Sequence, residues 1–536
     1  MVPCPDSTLR LSTPAAGIAA RRDARPASSK AAMTSAASPA PAAAGDDRLP
    51  AAHRRLITLL VVAAFVVILN ETIMSVALPE LMRDLEIPAT TAQWLTTGFL
   101  LTMAVVIPVT GFLLQRFTVR QIFIAAMTTF SVGTLIAATA PGFAMLLVGR
   151  VVQAGGTALM MPLLITTVMT LVPVARRGQM MGLISIVIAV APAVGLTVSG
   201  VILEVLDWRW MFWLVLPISL GVLALGARLV RNVTEPTGAS LDVLSVVLSA
   251  LAFGGVIYGL AAIGESAQGH APIPPAIPLA VGVVALAAFA ARQLGLRDRA
   301  LLDLRVFRSG LFVRAAALMA VSMLALFGAL IVLPLYLQNV LGASTLTTGL
   351  ILLPGGLAMG LLSPFVGLAF DRVGPRPLVI PALVVIVVAL GGLSTLGTDT
   401  PYGLVIAGHV LLMCGLGLAM TPLMTTALGA VPAQLYSHGS AIVSTLQQVA
   451  GAAGTAIFIT VMTSRANGVS DRGTADVGAL NEGVQTAMLV GAGVAALGLL
   501  LAFFLRRPPA EAPPGSEGPG AGDRAEAGRA EELVSA

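Results

Sequence analysis

GLAFDRVGPRP, residues 367–377, joins two long apolar runs, and GFLLQRFTVRQ, residues 111–121, joins two others nearer the start of the chain. Aligned on Gly111 and Gly367, the segments share Arg116 with Arg372 and Arg120 with Arg376, while Gln115 and Thr118 stand opposite Asp371 and Gly374. The same short charged connector between apolar runs occurs twice, so the chain reads as two related halves. Repeated halves around a central site are a common design of secondary transporters.

Working outward from these connectors, apolar runs fall at 56–81, 93–117, 119–140, 143–172, 179–203, 210–230, 241–263, 274–291, 313–337, 346–370, 377–397, 402–431, 439–463 and 486–505. Each is long enough to cross a bilayer, for which about 20 apolar residues suffice. Composition agrees: 57% of the 536 residues are hydrophobic and only 11% are charged, against about 25% in soluble domains. A mean hydropathy of +0.93 excludes an ordinary soluble protein.

The loops sort by charge. Arg54, Arg55, Arg116, Arg120, Arg176, Arg177, Arg228, Arg231, the cluster from Arg292 to Arg314, Arg372, Arg376, Arg506 and Arg507 fall on one side, and chiefly Arg83, Arg209, Arg465 and Arg472 on the other. Cytoplasmic loops carry the arginine excess, so both termini are expected in the cytoplasm and the membrane is expected to be the cytoplasmic (inner) one. The net charge of +5 is thus a matter of topology and marks no nucleic-acid partner. Cys4 and Cys414 sit in environments that could hardly meet, which implies no disulfide.

The expected organisation is a disordered tail over 1–50, a six-helix bundle over 51–235, two inserted helices with a cytoplasmic linker over 236–311, a second six-helix bundle over 312–505 and a disordered tail from 506 to 536. Met33 offers a second possible start. No G-x-x-x-x-G-K-[ST] loop, H-E-x-x-H or paired C-x-x-C occurs, and four scattered histidines make no metal cluster. ATP-driven pumping and metalloenzyme chemistry therefore find no motif, and no cofactor is expected.

The connectors resemble those of the major facilitator superfamily, whose pattern G-x-x-x-D-R-x-G-x-R is met by Gly367, Asp371, Arg372, Gly374 and Arg376. The first-half copy keeps Gly111, Arg116 and Arg120 but lacks the acid and second glycine. RVVQAGGTA on helix 4 is similar to the family's R-x-x-Q-G-x-G through Arg150, Gln153 and Gly156, with Ala154 in place of a glycine. Helix 5 carries APAVGLTVSG, which keeps Pro192, Gly195 and Gly200 of the small-residue signature of the antiporters and departs from it at Leu196 and Ser199. Close helix packing is the alternative reading of those small residues.

LNETIMSVALP on helix 1, DWRWMFWLVLP on helix 6, LYSHGSA around His438, QQVAGAAGTA from Gln447 and the count of fourteen spans resemble the drug:proton antiporter branch, the lincomycin-resistance-type exporters above all. The resemblance implies an all-α polytopic membrane protein of the major facilitator fold, two six-helix bundles plus two inserted helices. It further implies a proton-coupled antiporter exporting amphiphilic drugs, driven by the proton gradient, with latches at the two connectors. A dedicated exporter of an endogenous metabolite or lipid is the alternative, and a transporter-like sensor or scaffold a third.

Intramembrane charges are costly and are kept for a function or a partner. Glu71 lies about 15 residues into helix 1, roughly 22 Å from the inner edge, and Arg150 on helix 4 about 19 Å from it, so the two can meet. Burial and a neighbouring guanidinium act on the Glu71 charge in opposite senses, which suits a proton site that substrate toggles; a static ion pair is the alternative. The branch often has an acid at the position of Asn70, and moving it to Glu71 rotates it about 100° on the helix.

For the substrate cavity the polar candidates are Asn70, Gln153, Tyr336, Gln338, Asn339, Gln447 and Gln448, beside flexible methionines suited to promiscuous contact. Asp242 reads as a first-turn acid below a Ser240 cap. Asp207 is interfacial with Arg209 as a possible partner, His409 is a hydrogen-bonded histidine or a proton shuttle, and His438 is a loop or cap residue.

Overall fold

The computed structural model describes residues 50–230, 232, 242–267, 273–296, 299–470 and 476–505. The two expected tails, the Ser240 cap, Arg231, Arg472, Arg506 and Arg507 lie outside the described residues, as does the side chain of Leu196.

Among the described residues, fourteen helices are long and apolar enough to cross a membrane. They are α1 (Ala51–Asp84), α2 (Trp94–Arg116), α3 (Val119–Ala138), α4 (Phe143–Leu171), α5 (Arg177–Val205), α6 (Arg209–Leu229) and α7 (Val243–Ala267). There follow α8 (Ala276–Leu296), α9 (Gly310–Asn339), α10 (Thr345–Val373), α11 (Arg376–Leu393), α12 (Tyr402–Gly429), α13 (Tyr436–Ser470) and α14 (Asp476–Ala502). No strand occurs among the described residues. Prolines such as Pro108, Pro162, Pro192 and Pro422 sit inside the helices; neighbouring helices stabilise such interruptions within a membrane bundle.

The connectors end their helices differently. Gly374, at φ +80°, closes α10 in a conformation that favours glycine. In the first half Thr118 is extended and caps α3 instead, its hydroxyl accepting from the Gln121 N–H and the Gln121 side chain accepting from the Thr118 N–H.

The principal pairings within α1–α6 recur among α9–α14. α1 packs on α4, α5 and α6 as α9 packs on α12, α13 and α14; α2 packs on α4 as α10 does on α12; α3 bridges α4 and α6 as α11 bridges α12 and α14. Two seams join the halves, α5 against α10 and α2 against α13. The inserted α7 and α8 pair with one another, and α7 lies along both α2 and α13. Exposed apolar side chains such as Val284, Leu361 and Leu497 suit lipid surroundings.

Alternation of the spans places Arg54, Arg116, Arg176, Arg228, Arg305 and Arg372 at one end, here the Arg-rich end, and Arg83, Arg209 and Arg465 at the other. Arg209 there pairs with Asp207 at 2.9 Å and also reaches Asp84 at 3.4 Å.

Candidate functional site

Eight helices from both halves surround a cavity of about 230 Å³. Its wall is mostly apolar, with the thioethers of Met103, Met161, Met323, Met359 and Met413 around it. The polar groups are Glu71 and Thr72 of α1, His409 of α12 and Ser444, Gln447 and Gln448 of α13. The amides of Gln447 and Gln448 meet only sulfur, at 3.9 Å from Met319 and 3.7 Å from Met103, and a thioether is a weak acceptor. His409 is 2% exposed, with its ring against Gly355 and its Nδ1 without a hydrogen-bond partner.

Behind Glu71 lies a separate buried network. Arg150 is 1% exposed and donates from Nη1 to Gln153 Oε1 at 3.0 Å and to Asn70 Oδ1 at 3.3 Å. Gln153 in turn donates to Thr134 Oγ1 at 2.8 Å, and the guanidinium lies 4.1 Å from the Phe99 ring centroid. Glu71 acts on Arg150 through space, and no direct ion pair joins them. The residue that touches Arg150 is Asn70, because one step along α1 turns a side chain by about 100°.

The Arg-rich end beneath the cavity is closed by contacts between the halves. Asp371 accepts from the backbone N–H groups of Gly178 and Gln179, at 2.9 and 3.0 Å, at the start of α5. Free N–H groups and the dipole at a helix N-terminus favour a carboxylate there. A Cβ on Gly178 would lie 2.6 Å from the Gly367 carbonyl oxygen and meet Asp371, so the closeness of the two backbones demands glycine. At the other seam Gln115 Nε2 meets His438 Nε2 at 2.9 Å. Arg177 donates to the Tyr436 hydroxyl at 3.0 Å, Thr166 meets Ser440 at 2.7 Å and Ser185 meets Thr421 at 2.8 Å.

Of the expected cavity residues, Glu71, Gln447 and Gln448 line the cavity. Asn70 and Gln153 do not, since Arg150 occupies them. Tyr336 is buried at the far end of α9, its hydroxyl donating to the Gly397 carbonyl at 2.6 Å, and Gln338 and Asn339 are exposed one turn farther on. Their polarity in the sequence belongs to a helix end, not to a cavity wall.

Of the connector residues, Gly111, Gly367 and Asp371 face the opposite half. Arg116, Arg372 and Arg376 are exposed, and Arg120 donates to the Ala227 carbonyl within its own half. Of the small residues on α5, Pro192 lines the cavity, Gly195 packs against Thr72 of α1, and Gly200 faces open space. Asp242 itself caps α7 through the Ser245 N–H and binds Arg292 of α8 at 2.7 and 2.9 Å. His438 is a buried residue of the first turn of α13, not a loop residue. Sequence reading missed Phe99 and Thr134; the signal was the need of a buried Gln153 and Arg150 for partners.

The profile of the Major Facilitator Superfamily matches residues 60–455. The lincomycin resistance protein LmrB of Listeria monocytogenes is 43% identical over 452 residues, which cover 83% of this chain and 95% of that protein. Puromycin resistance protein pur8 of Streptomyces alboniger is 30% identical over 83% of this chain and 89% of its own length. The human organic anion transporter MFSD10 (TETRAN) shares the fold at a TM-score of 0.62 and 14% identity, over 84% of this chain and 99% of that one. With paired six-helix halves about a central cavity, this chain belongs to the Major Facilitator Superfamily, in the branch that holds the lincomycin and multidrug resistance proteins, and is a transporter and not an enzyme.

Proposed function

We propose that this chain exports amphiphilic molecules across the cytoplasmic membrane in exchange for protons, by alternating access, with its Arg-rich end and both termini in the cytoplasm. The observation that carries the reading is Glu71, the carboxylate on the wall of a mostly apolar cavity built by both halves. The names of the relatives, resistance proteins against lincomycin and puromycin, support a toxic amphiphile as cargo.

Cargo lies among the thioethers, which adapt to different shapes, and the amides of Gln447 and Gln448 offer hydrogen bonds. An ionised Glu71 favours a cationic cargo; a neutral one binds by apolar contact alone. When a proton arrives on Glu71, Arg150 loses its counter-charge and the cavity loses its attraction for a cation, so proton and cargo exclude one another. The proton gradient is the energy source, and no cofactor enters the cycle.

The test is efflux of cationic and neutral dyes from proteoliposomes under an imposed pH gradient, comparing the wild type with Glu71→Gln. Gradient-driven efflux by the wild type and its loss in a folded Glu71→Gln variant is the expected result. Coupling that persists in the variant moves the proton site away from Glu71.

A further inference from the structure

The two seams between the halves are closed in different ways. At α5–α10 a carboxylate, Asp371, grips the start of the opposite helix directly. At α2–α13 the corresponding residue is Gln115, which meets His438 through a hydrogen bond. A neutral hydrogen bond is roughly half as strong as a charge-assisted one, so the second seam would be the weaker if nothing else acted there.

Something else does. Gly111 lets the His438 imidazole lie against α2, where a Cβ would be 3.1 Å from Nδ1. Packed along both helices of this seam is α7 of the inserted hairpin, and the charges of Asp303 and Arg305, on the segment after that hairpin, act on the ring through space. That segment is pinned: Leu301, Leu302 and Val306 are buried, and Gln293 of α8 accepts from the N–H groups of Leu301 and Leu302 at 2.7 and 3.3 Å. Gln293 also donates to Ser245 of α7 at 2.8 Å. Ser245 donates to Asp242, which Arg292 holds at 2.7 and 2.9 Å. A continuous chain of hydrogen bonds thus ties this segment to the hairpin, and α7 itself lies on both helices of the seam.

We infer that the α7–α8 hairpin, with the segment Arg299–Ser309 bonded to it, forms the latch of the α2–α13 seam, a strap that lies across both helices while the Arg-rich end is closed and lets go when that end opens. The inserted helices, which the two six-helix halves do not need in order to enclose the cavity, thereby set the balance between the two access states. The inference rests on alternating access as proposed above and on no particular cargo.

The experiment needs no cargo either. In full-length protein with Cys4 and Cys414 replaced by serine, Ser444→Cys reports the cavity, and a membrane-impermeant maleimide is applied to each face of oriented proteoliposomes. Gln293→Leu cuts the strap at its centre; Arg292→Gln loosens it at a half-exposed position and preserves the fold if Gln293→Leu does not. Labelling from the Arg-rich face is expected to rise about fivefold in Gln293→Leu, the low end of coupling between distant sites, to rise less in Arg292→Gln, and to fall from the other face. Asp371→Asn, at the other seam, serves as the control. Unchanged face preference in both strap variants, while Asp371→Asn shifts it, overturns the inference, even if Gln293→Leu melts earlier. A face preference that no variant moves, Asp371→Asn included, removes alternating access and the latch with it.

Discussion

Arg150 donates to Asn70 at 3.3 Å while Glu71, the next residue on the same helix, faces the central cavity. Adjacent positions on one helix therefore do separate work: a neutral amide holds the guanidinium in place, and a carboxylate balances its charge from a distance while lining the cavity. The separation is possible because consecutive helical side chains point about 100° apart.

Asn70→Asp should give Arg150 a direct charge-assisted partner. Combined with Glu71→Gln, it is expected to recover about 1–2 kcal/mol of thermal stability relative to Glu71→Gln alone, without restoring gradient-driven efflux. Thermal unfolding in detergent and dye efflux read the two effects separately, and restored efflux would mean that a carboxylate beside Arg150 serves as well as one on the cavity.

The three glycines of the α5 region should respond differently to alanine. Gly178→Ala pushes the backbone of α5 from Gly367 and is expected to cost the closed state about 1–3 kcal/mol, the range for overpacking. Gly195→Ala collides with Thr72 and should cost a similar amount, while Gly200→Ala faces open space and should be neutral or stabilise its helix by up to about 1 kcal/mol. Thermal unfolding of the three variants, with spin-label distances across the Arg-rich end for Gly178→Ala, checks this order.

Tyr336→Phe and Gln447→Leu separate helix-end polarity from cavity polarity. The first removes one hydrogen bond to the Gly397 carbonyl and should cost about 1 kcal/mol of stability with an unchanged cargo profile. The second should alter the ranking of dyes exported while leaving stability nearly unchanged, since the amide it removes meets only a thioether. Efflux of a dye panel alongside melting curves distinguishes them.

Two acids outside the spans set the pH dependence of the strap. The Arg292 guanidinium, and then the Ser245 hydroxyl, donate to Asp242 and hold its carboxyl well below the ordinary carboxylate range. Burial opposes the charge of Asp303, but donation from the Arg305 side chain and backbone outweighs it and holds that carboxyl below its ordinary value too. Folded-state values below unfolded ones mean that this stabilisation is complete above the unfolded carboxylate range, about pH 4, and is lost as pH falls through the folded values. Anchoring of the hairpin should therefore be constant from pH 8 to pH 5 and weaken only in stronger acid, as followed by proteolysis of the segment after α8; Asp242→Asn should bring the weakened behaviour to neutral pH.

The fourteen spans, the side that carries the arginines and the relation of the two halves are all legible in the order of residues, because each is written in local composition. The connectors at Gly111 and Gly367 betray the repeat, and the cost of charge in a membrane singles out Glu71. The rest of the site is not legible in the same way. Asn70 and Gln153 look like cavity polar groups along the chain, yet both serve Arg150; His438 looks like a cap, yet it is the buried contact of Gln115. Polarity at a position tells that a partner is needed and not which helix supplies it.

Membrane insertion sums transfer free energy along a segment and is indifferent to the direction in which each side chain points, so the sequence alone decided how many helices there are, where they run and which end faces the arginine-rich side. Which wall of each helix meets the cavity, a neighbour or lipid depends on azimuth, and azimuth is settled only when helices from distant parts of the chain pack together. That is why Asn70 and Glu71, one position apart, were separated by the tertiary structure, and why the place of α7, legible in the sequence only as an inserted span, was settled against α2 and α13.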